Sequence, residues 1–440
     1  MVKLSVVGLG KLGACTAACF ASKGYQVIGV DSNRDVVDAV NRGEAPVQEP
    51  GLQELILSCG GRLKATQDYG QAIEGSDVTF LIVPTPSKDD GHFSDRYLKN
   101  ALLHLSKALR EAGKSNHIFV ITSTVSPGTT EKSLIPYIEA NTGMKLGEGF
   151  GVAYNPEFIA LGSVIRDFLN PDMVLIGESE TGVGDVLERI YGRVYESKPY
   201  IARMSLVSAE ITKISLNSYV TMKISFANTL ANICEAIAGA DVDAITRALG
   251  ADRRVSPHYL KGGLSFGGPC FPRDNRAFCA FARESGVDAR LAKATDEINQ
   301  RQVERIVELV MRELPAGNGR GVAILGLAYK PETNVIEESA GIKIVQELLK
   351  KKDVEVVVYD PLAMENARVL FGDNIMYAAS VEECFAQSSV CVIATQAEEF
   401  KLIDRTYIGN NPTRIIDCWR ILDLSKLGEG VVYVSLGRAR

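Results

Sequence analysis

Three groups of residues in this 440-residue chain have types and spacings suited to chemistry. The first is the stretch SFGGPCFPRD at 265–274, where Cys270 stands between a glycine pair and an Arg273-Asp274 pair. A thiol there is a packed loop residue, half of a disulfide, a metal ligand or a nucleophile. Nine cysteines without C-x-x-C spacing and only four histidines argue against zinc or a redox pair, so no metal is expected. The N-terminus MVKLSVVGLGKLGA runs into a strand pattern without the regions of a secretory leader, so a cytoplasmic location is expected, where disulfides are rare. Packed residue and nucleophile both remain open.

The second group is Glu210, Lys213 and Asn217, at i, i+3 and i+7 and hence on one helical face. An ammonium and an amide presented together can stabilise a developing oxyanion. The plainer alternative is a Glu210–Lys213 surface pair worth about 0.3 kcal/mol. The third group is Gly8-Leu9-Gly10-Lys11-Leu12-Gly13, a G-x-G-x-x-G run between a predicted strand and a predicted helix. Gly8 allows a tight turn, Gly10 a close approach of backbone to pyrophosphate, and Gly13 close packing of helix on strand. Asp31 ends the next predicted strand, where a carboxylate accepts both ribose hydroxyls, so NAD is expected over NADP. Arg34 weighs the other way, since it is able to pair with a 2′-phosphate.

These groups need elements to hold them. KLSVVG, QVIGVD, DVTFLIVP, HIFVITST and GFGVAYN read as short buried strands alternating with helices, which predicts a parallel sheet covered on both faces. From Leu206 to Ala238 the pattern becomes one long helix, with Ser205 as N-cap, Gly239 as stop and apolar residues on more than one face. After the glycine- and proline-rich 312–321, alternation restarts with VAILGLAYK, VEVVVYDP, VCVIAT and RIIDCW, where Gly326 alone echoes the three glycines of the first run. The predicted class is α/β, two Rossmann-like doubly wound domains (1–197 and 313–440) joined by a central long-helix domain (198–312) that forms a homodimer interface. A chain 46% hydrophobic with net charge −6 and no basic block is not expected to bind nucleic acid or a membrane. It also holds no apolar run of the roughly 18 residues that a membrane span needs.

Taken in order, GLGKLG, VPTP (83–86), STVSPGTT (123–130), NPEF (155–158), AEITKISLNSY (209–219), FGGPCFPRD (266–274) and GLAYKPET (326–333) resemble the UDP-glucose/GDP-mannose dehydrogenase family over nearly the whole chain. The resemblance implies a four-electron oxidation of a nucleotide sugar's C6 alcohol to a carboxylate with two NAD⁺ reduced. Chemistry agrees, because the second hydride must leave from a tetrahedral adduct, which a thiolate supplies as a thiohemiacetal on the way to a thioester. By the resemblance, Cys270 is the nucleophile, and Arg273 or a lysine favours its thiolate. Lys213 and Asn217 hold the oxyanion, Asp274 assists Lys213, Glu157 acts as general base through water, and Thr124 lies near that water. The cofactor is expected against Gly8, Leu9, Gly10, Leu12, Gly13, Asp31, Arg34, Thr85, Pro86, Ser123, Thr124, Glu157 and Arg273. The nucleotide sugar is expected against Glu157, Phe158, Ile159, Lys213, Asn217, the backbone of Tyr259-Leu260-Lys261, Gly267 and Lys330. Arg254 joins that set, often across the dimer.

Three positions depart from the family's pattern. Leu161 replaces a second glutamate, Glu337 stands where many relatives have an arginine near the cofactor, and Asp417-Cys418-Trp419 replaces D-x-R, with Arg420 one position late. For Trp419 a domain contact is expected ahead of base stacking. UDP-glucose is the first expectation for substrate, with GDP-mannose and UDP-N-acetylhexosamines open. A two-electron β-hydroxyacid dehydrogenase and a non-catalytic binder of NAD or nucleotide sugar are the competing classes.

Overall fold

A computed structural model describes residues 2–315, 321–409 and 413–439, so part of the expected 312–321 linker lies outside the described residues. These residues divide into two compact units, 1–215 and 216–440, with the boundary inside one long helix.

In the first unit the strands are β1 (Leu4–Val7), β2 (Val27–Val30), β3 (Leu63–Thr66), β4 (Val78–Leu81), β5 (His117–Ile121), β6 (Phe150–Tyr154), β7 (Met173–Glu178) and β8 (Tyr200–Ser205). They form one sheet in the order β3-β2-β1-β4-β5-β6-β7-β8, parallel throughout except for the β6–β7 pair. The chain moves outward from β1 in one direction through β2 and β3, then returns to start β4 on the other side. That reversal opens a crevice at the carboxyl ends of β1 and β4. Strands such as LSVV and HIFVI are buried at every position because helices cover both faces. On one face Phe20 of the helix Lys11–Ser22 meets Phe80 of β4 at 4.8 Å between rings. Truncating a fully buried phenylalanine of this kind costs about 3–5 kcal/mol.

In the second unit β9 (Gly321–Leu325), β10 (Glu355–Tyr359), β11 (Met376–Tyr377), β12 (Val390–Ile393), β13 (Thr413–Asp417) and β14 (Val431–Ser435) form a parallel sheet in the order β11-β10-β9-β12-β13-β14. Its reversal falls between β9 and β12. Gly341 completes the echo that the sequence shows only at Gly326: a Cβ on Gly341 would lie 2.2 Å from Gly326 O, as one on Gly13 would lie 1.8 Å from Gly8 O. The long intervening loop hides this match from a spacing search.

The spine helix runs Leu206–Glu235. Ser205 Oγ accepts from the N–H of Ser208 at 3.3 Å, the expected cap, and the helix stops three residues before the expected Ala238. Gly239 follows in the left-handed region, and Asp241 caps the next helix, Val242–Ala251. Leu216, Tyr219, Phe226 and Ile233, spaced by three, seven and seven, leave an exposed apolar stripe on the part of the helix in the second unit. Among the described residues no helix is long and apolar enough to cross a membrane.

Candidate active site

The glycine turn closes β1 onto the start of the Lys11–Ser22 helix. Gly8 has φ of +92°, and a Cβ there would lie 2.3 Å from Ile82 O, so both conformation and space demand glycine. Gly10 is different, because a Cβ built on it meets nothing within 4 Å. Packing does not require glycine at this helix N-cap, and a bare backbone there would let a ligand come close to the N–H groups of the first turn. Leu9 and Leu12 point the other way, into the core.

Asp31 accepts from the N–H of Leu9 and of Asn33, each at 2.8 Å. A carboxylate has about four acceptor positions, so two remain for ribose hydroxyls. These residues fit NAD. Arg34 is exposed and turned to Asp38 at 3.5 Å, a weak surface pair. Beside the turn, Ser123 Oγ donates to Val83 O at 2.7 Å and accepts from Val83 N–H at 2.9 Å, tying the ends of β4 and β5 together. Thr85 is buried next to it, Pro86 exposed and Thr124 half-buried.

Glu157 follows β6 in the loop that begins at Asn155. Asn155 donates to Leu175 O at 2.8 Å and accepts a short hydrogen bond from the Tyr191 hydroxyl. Burial pushes the Glu157 carboxyl up to about 7, against the lowering pull of the Lys213 ammonium. Lys213 Nζ donates to the Glu157 carbonyl at 2.6 Å and lies 4.5 Å from the centre of the Phe158 ring. Ile159 and Leu161 pack on the core, and a carboxylate reaches this loop from elsewhere: Glu49 accepts from the N–H groups of Gly162 and Val164 at 3.1 and 2.9 Å.

Glu210 is not the partner of Lys213 that a surface pair would need. It is fully buried and accepts from the N–H groups of Gly128 and Thr130 at 2.5 and 2.8 Å, capping the helical turn after the Ser123 loop. The one face of the spine helix seen in the sequence thus grips two loops, through Glu210 and through Lys213.

In the second unit Asn217, one turn beyond Lys213 on the same helix, donates to Asp274 Oδ2 at 2.7 Å, and Arg273 Nε meets Asp274 Oδ1 at 3.3 Å. Asp274 is fully buried in the first turn of the helix Phe271–Glu284, whose N-cap is Cys270. Of the nine cysteines Cys270 alone is exposed; burial raises the thiols of Cys15 and Cys384 to about 12. Gly267 and Gly268 are required by contact with the loop after β9: Cβ atoms there would lie 2.3 Å from Glu338 O and 2.6 Å from the Tyr329 ring. Glu337 accepts from the N–H of Gly268 through its backbone carbonyl at 3.0 Å.

Tyr259 has φ of +61° and lies edge-on to Phe271, Leu260 is buried, and Lys261 Nζ donates to Gln396 at 2.8 Å. Lys330 Nζ lies 6.0 Å from the Tyr329 ring centre. Arg254 is exposed and paired with Asp252 at 2.6 Å. Trp419 packs within the second unit: its ring fills the space a side chain at Gly263 would need, and its Nε1–H donates to Ala394 O at 2.9 Å. Arg420, one position late, is buried and holds Asp243, Gly262 O and Leu436 O.

The fold and the glycine turn define a two-domain dinucleotide-binding α/β protein. Family models for the UDP-glucose/GDP-mannose dehydrogenase family match in three parts: the NAD binding domain at 2–195, the central domain at 207–301 and the UDP binding domain at 323–424. The chain is 38% identical to a UDP-glucose 6-dehydrogenase of Haloferax volcanii over 99% of its own length and 100% of the relative's. It is 33% identical to a GDP-mannose 6-dehydrogenase of Pseudomonas putida, covering 91% and 93% of the two chains. The solved UDP-glucose dehydrogenase of Pyrobaculum islandicum superimposes with a TM-score of 0.90 at 32% identity, covering 100% and 98%. The chain belongs to the UDP-glucose/GDP-mannose dehydrogenase family and is an NAD-dependent nucleotide-sugar dehydrogenase.

Proposed function

We propose that the enzyme oxidises the C6 alcohol of UDP-glucose to the uronic acid in two stages through a thioester on Cys270. One observation carries this reading: the single exposed thiol of nine stands at the N-cap position of the helix Phe271–Glu284, beside a glycine turn, where the positive end of the helix dipole favours negative charge. NAD⁺, when held by the Gly8–Gly13 turn and Asp31, would supply the hydride acceptor for each stage, two molecules per sugar. Lys213 and Asn217 stabilise the oxyanion that forms as the alcohol loses its proton. Cys270 adds to the aldehyde, and loss of the second hydride leaves the thioester. Glu157, its carboxyl near neutrality, takes a proton from the water that cleaves it. Lys330, Lys261 and Arg254 hold the diphosphate.

The choice of UDP-glucose rests on the relative of highest identity among those named, and the GDP-mannose relative supports the alternative. NAD⁺ reduction across UDP-glucose, UDP-N-acetylhexosamines and GDP-mannose decides between them: kcat/KM should be highest for UDP-glucose, and a GDP-mannose preference would reverse the assignment. The exposed stripe Leu216, Tyr219, Phe226 and Ile233 supports pairing with a second copy. Sedimentation should give a dimer, and a monomer at micromolar concentration would contradict it.

A further inference from the structure

Glu338 occupies a junction that neither the glycine turn nor the thiol chemistry requires. Its φ is +53°, a left-handed conformation that a non-glycine residue holds only when its surroundings enforce it. Two cations do so: Arg276 Nη2 at 3.0 Å and Lys343 Nζ at 2.5 Å. Arg276 belongs to the helix Phe271–Glu284 that begins just after Cys270, and Lys343 to the helix Ala340–Leu349 that follows the loop after β9. Around this double ion pair the two loops meet without slack. Glu337 O accepts from Gly268 N–H, Glu338 O faces Gly267, and the Tyr329 ring faces Gly268 so closely that no side chain fits at either glycine. The segment that carries Tyr329 and Lys330 is therefore clamped to the segment that carries the thiol.

We propose that Glu338 is a positioning residue that locks the loop 327–339 onto the turn 267–270, so that a nucleoside diphosphate seated on that loop is felt at the Cys270 thiol. The proposal rests on the reading of Cys270 as nucleophile and of Lys330 as a diphosphate ligand. Clamping of this kind also fixes the distance between the held diphosphate and the thiol, which a sugar of one length must span. Glu338 touches no reacting atom in this account and acts through Arg276 and the two backbones.

The test is the rate of Cys270 alkylation by iodoacetamide, followed by the mass of its peptide, with and without UDP, in the wild type, Glu338→Gln and Arg276→Ala. Arg276 is half exposed, so its truncation leaves the core intact if Glu338→Gln fails to fold. UDP should change the wild-type rate by about threefold or more and have little effect in either variant. Turnover number should fall about tenfold in both, with KM for NAD⁺ within about twofold of wild type. Arg276→Lys should restore much of the coupling. A UDP effect that survives in the variants, or none in the wild type, overturns the proposal, as does an Arg276→Ala enzyme that changes only KM for NAD⁺. Failure of the underlying reading looks different, because Cys270→Ala would then keep wild-type turnover.

Discussion

The two doubly wound units use the same turn for different ends. In each, a glycine ends the strand beside the reversal and a second glycine lets the following helix pack against its carbonyl. Four residues separate Gly8 from Gly13, and fourteen separate Gly326 from Gly341. The short connection leaves Gly10 facing open space at a helix N-terminus, while the long one packs on the cysteine turn. The aspartates that end the second strands differ in the same sense. Asp31 accepts two backbone N–H groups, whereas buried Asp360 accepts four, from Leu327, Ala328, Leu362 and Ala363. A carboxylate with about four acceptor positions has none left for a ribose after four such bonds. Equal turn geometry therefore does not make equal ligand sites, and unused hydrogen-bonding capacity marks the one that takes a dinucleotide.

The largest effect that sharpens this comparison is at Gly13. A Cβ 1.8 Å from Gly8 O has no relief, so Gly13→Ala should lose more than about 3 kcal/mol and give little folded protein. Gly10→Ala should instead melt within about 2 °C of wild type and weaken NAD⁺ binding about 100-fold, or about 2.7 kcal/mol, by calorimetry. A Gly10→Ala protein that binds NAD⁺ normally would break the distinction between packing glycine and ligand glycine.

The aspartates should separate in the same way with smaller effects. Asp360→Asn turns an amide N–H₂ toward backbone donors and should cost about 2 kcal/mol of unfolding free energy, with NAD⁺ affinity unchanged. Asp31→Asn should keep most of its stability and lose about tenfold in NAD⁺ affinity. Reversed outcomes would assign the cofactor to the second unit. Last, Glu157 belongs to the first unit alone. Its carboxyl sits near 7 and is protonated below that, so kcat/KM should fall about tenfold for each pH unit on the acid side. Glu157→Gln should remove that limb of the profile together with most of the activity.

Much of the fold was legible in the sequence because buried parallel strands read as short apolar runs between helices. VTFL and GVAIL show this at β4 and β9. Five strands were not expected, for different reasons: β3, LKAT, alternates exposed and buried, β8, YIARMS, is exposed at its ends, and β11 has two residues, whereas β7, MVLIGE, and β14, VVYVS, do carry short apolar runs that apolarity alone does not separate from helix. Among the candidate site residues, the glycine turn and Asp31 were readable from type and spacing, whereas for Cys270 type and spacing left packed residue and nucleophile open and only the resemblance favoured the nucleophile. Glu210, Glu49 and Glu338 were not assigned these contacts, because their partners Gly128, Gly162 and Arg276 lie 82, 113 and 62 positions away in the chain. Gly341 escaped for the related reason that its partner glycine lies across a fourteen-residue loop.

On the mechanism proposed above, Cys270 lets one active centre perform two oxidations. Counting NADH formed per nucleotide sugar consumed, in the wild type and in Cys270→Ala, tests it most directly. Two NADH per sugar in the wild type, with loss of the uronic acid product in Cys270→Ala, is the predicted result. One NADH per sugar in the wild type, or a Cys270→Ala enzyme that still forms the acid at the wild-type rate, would contradict it.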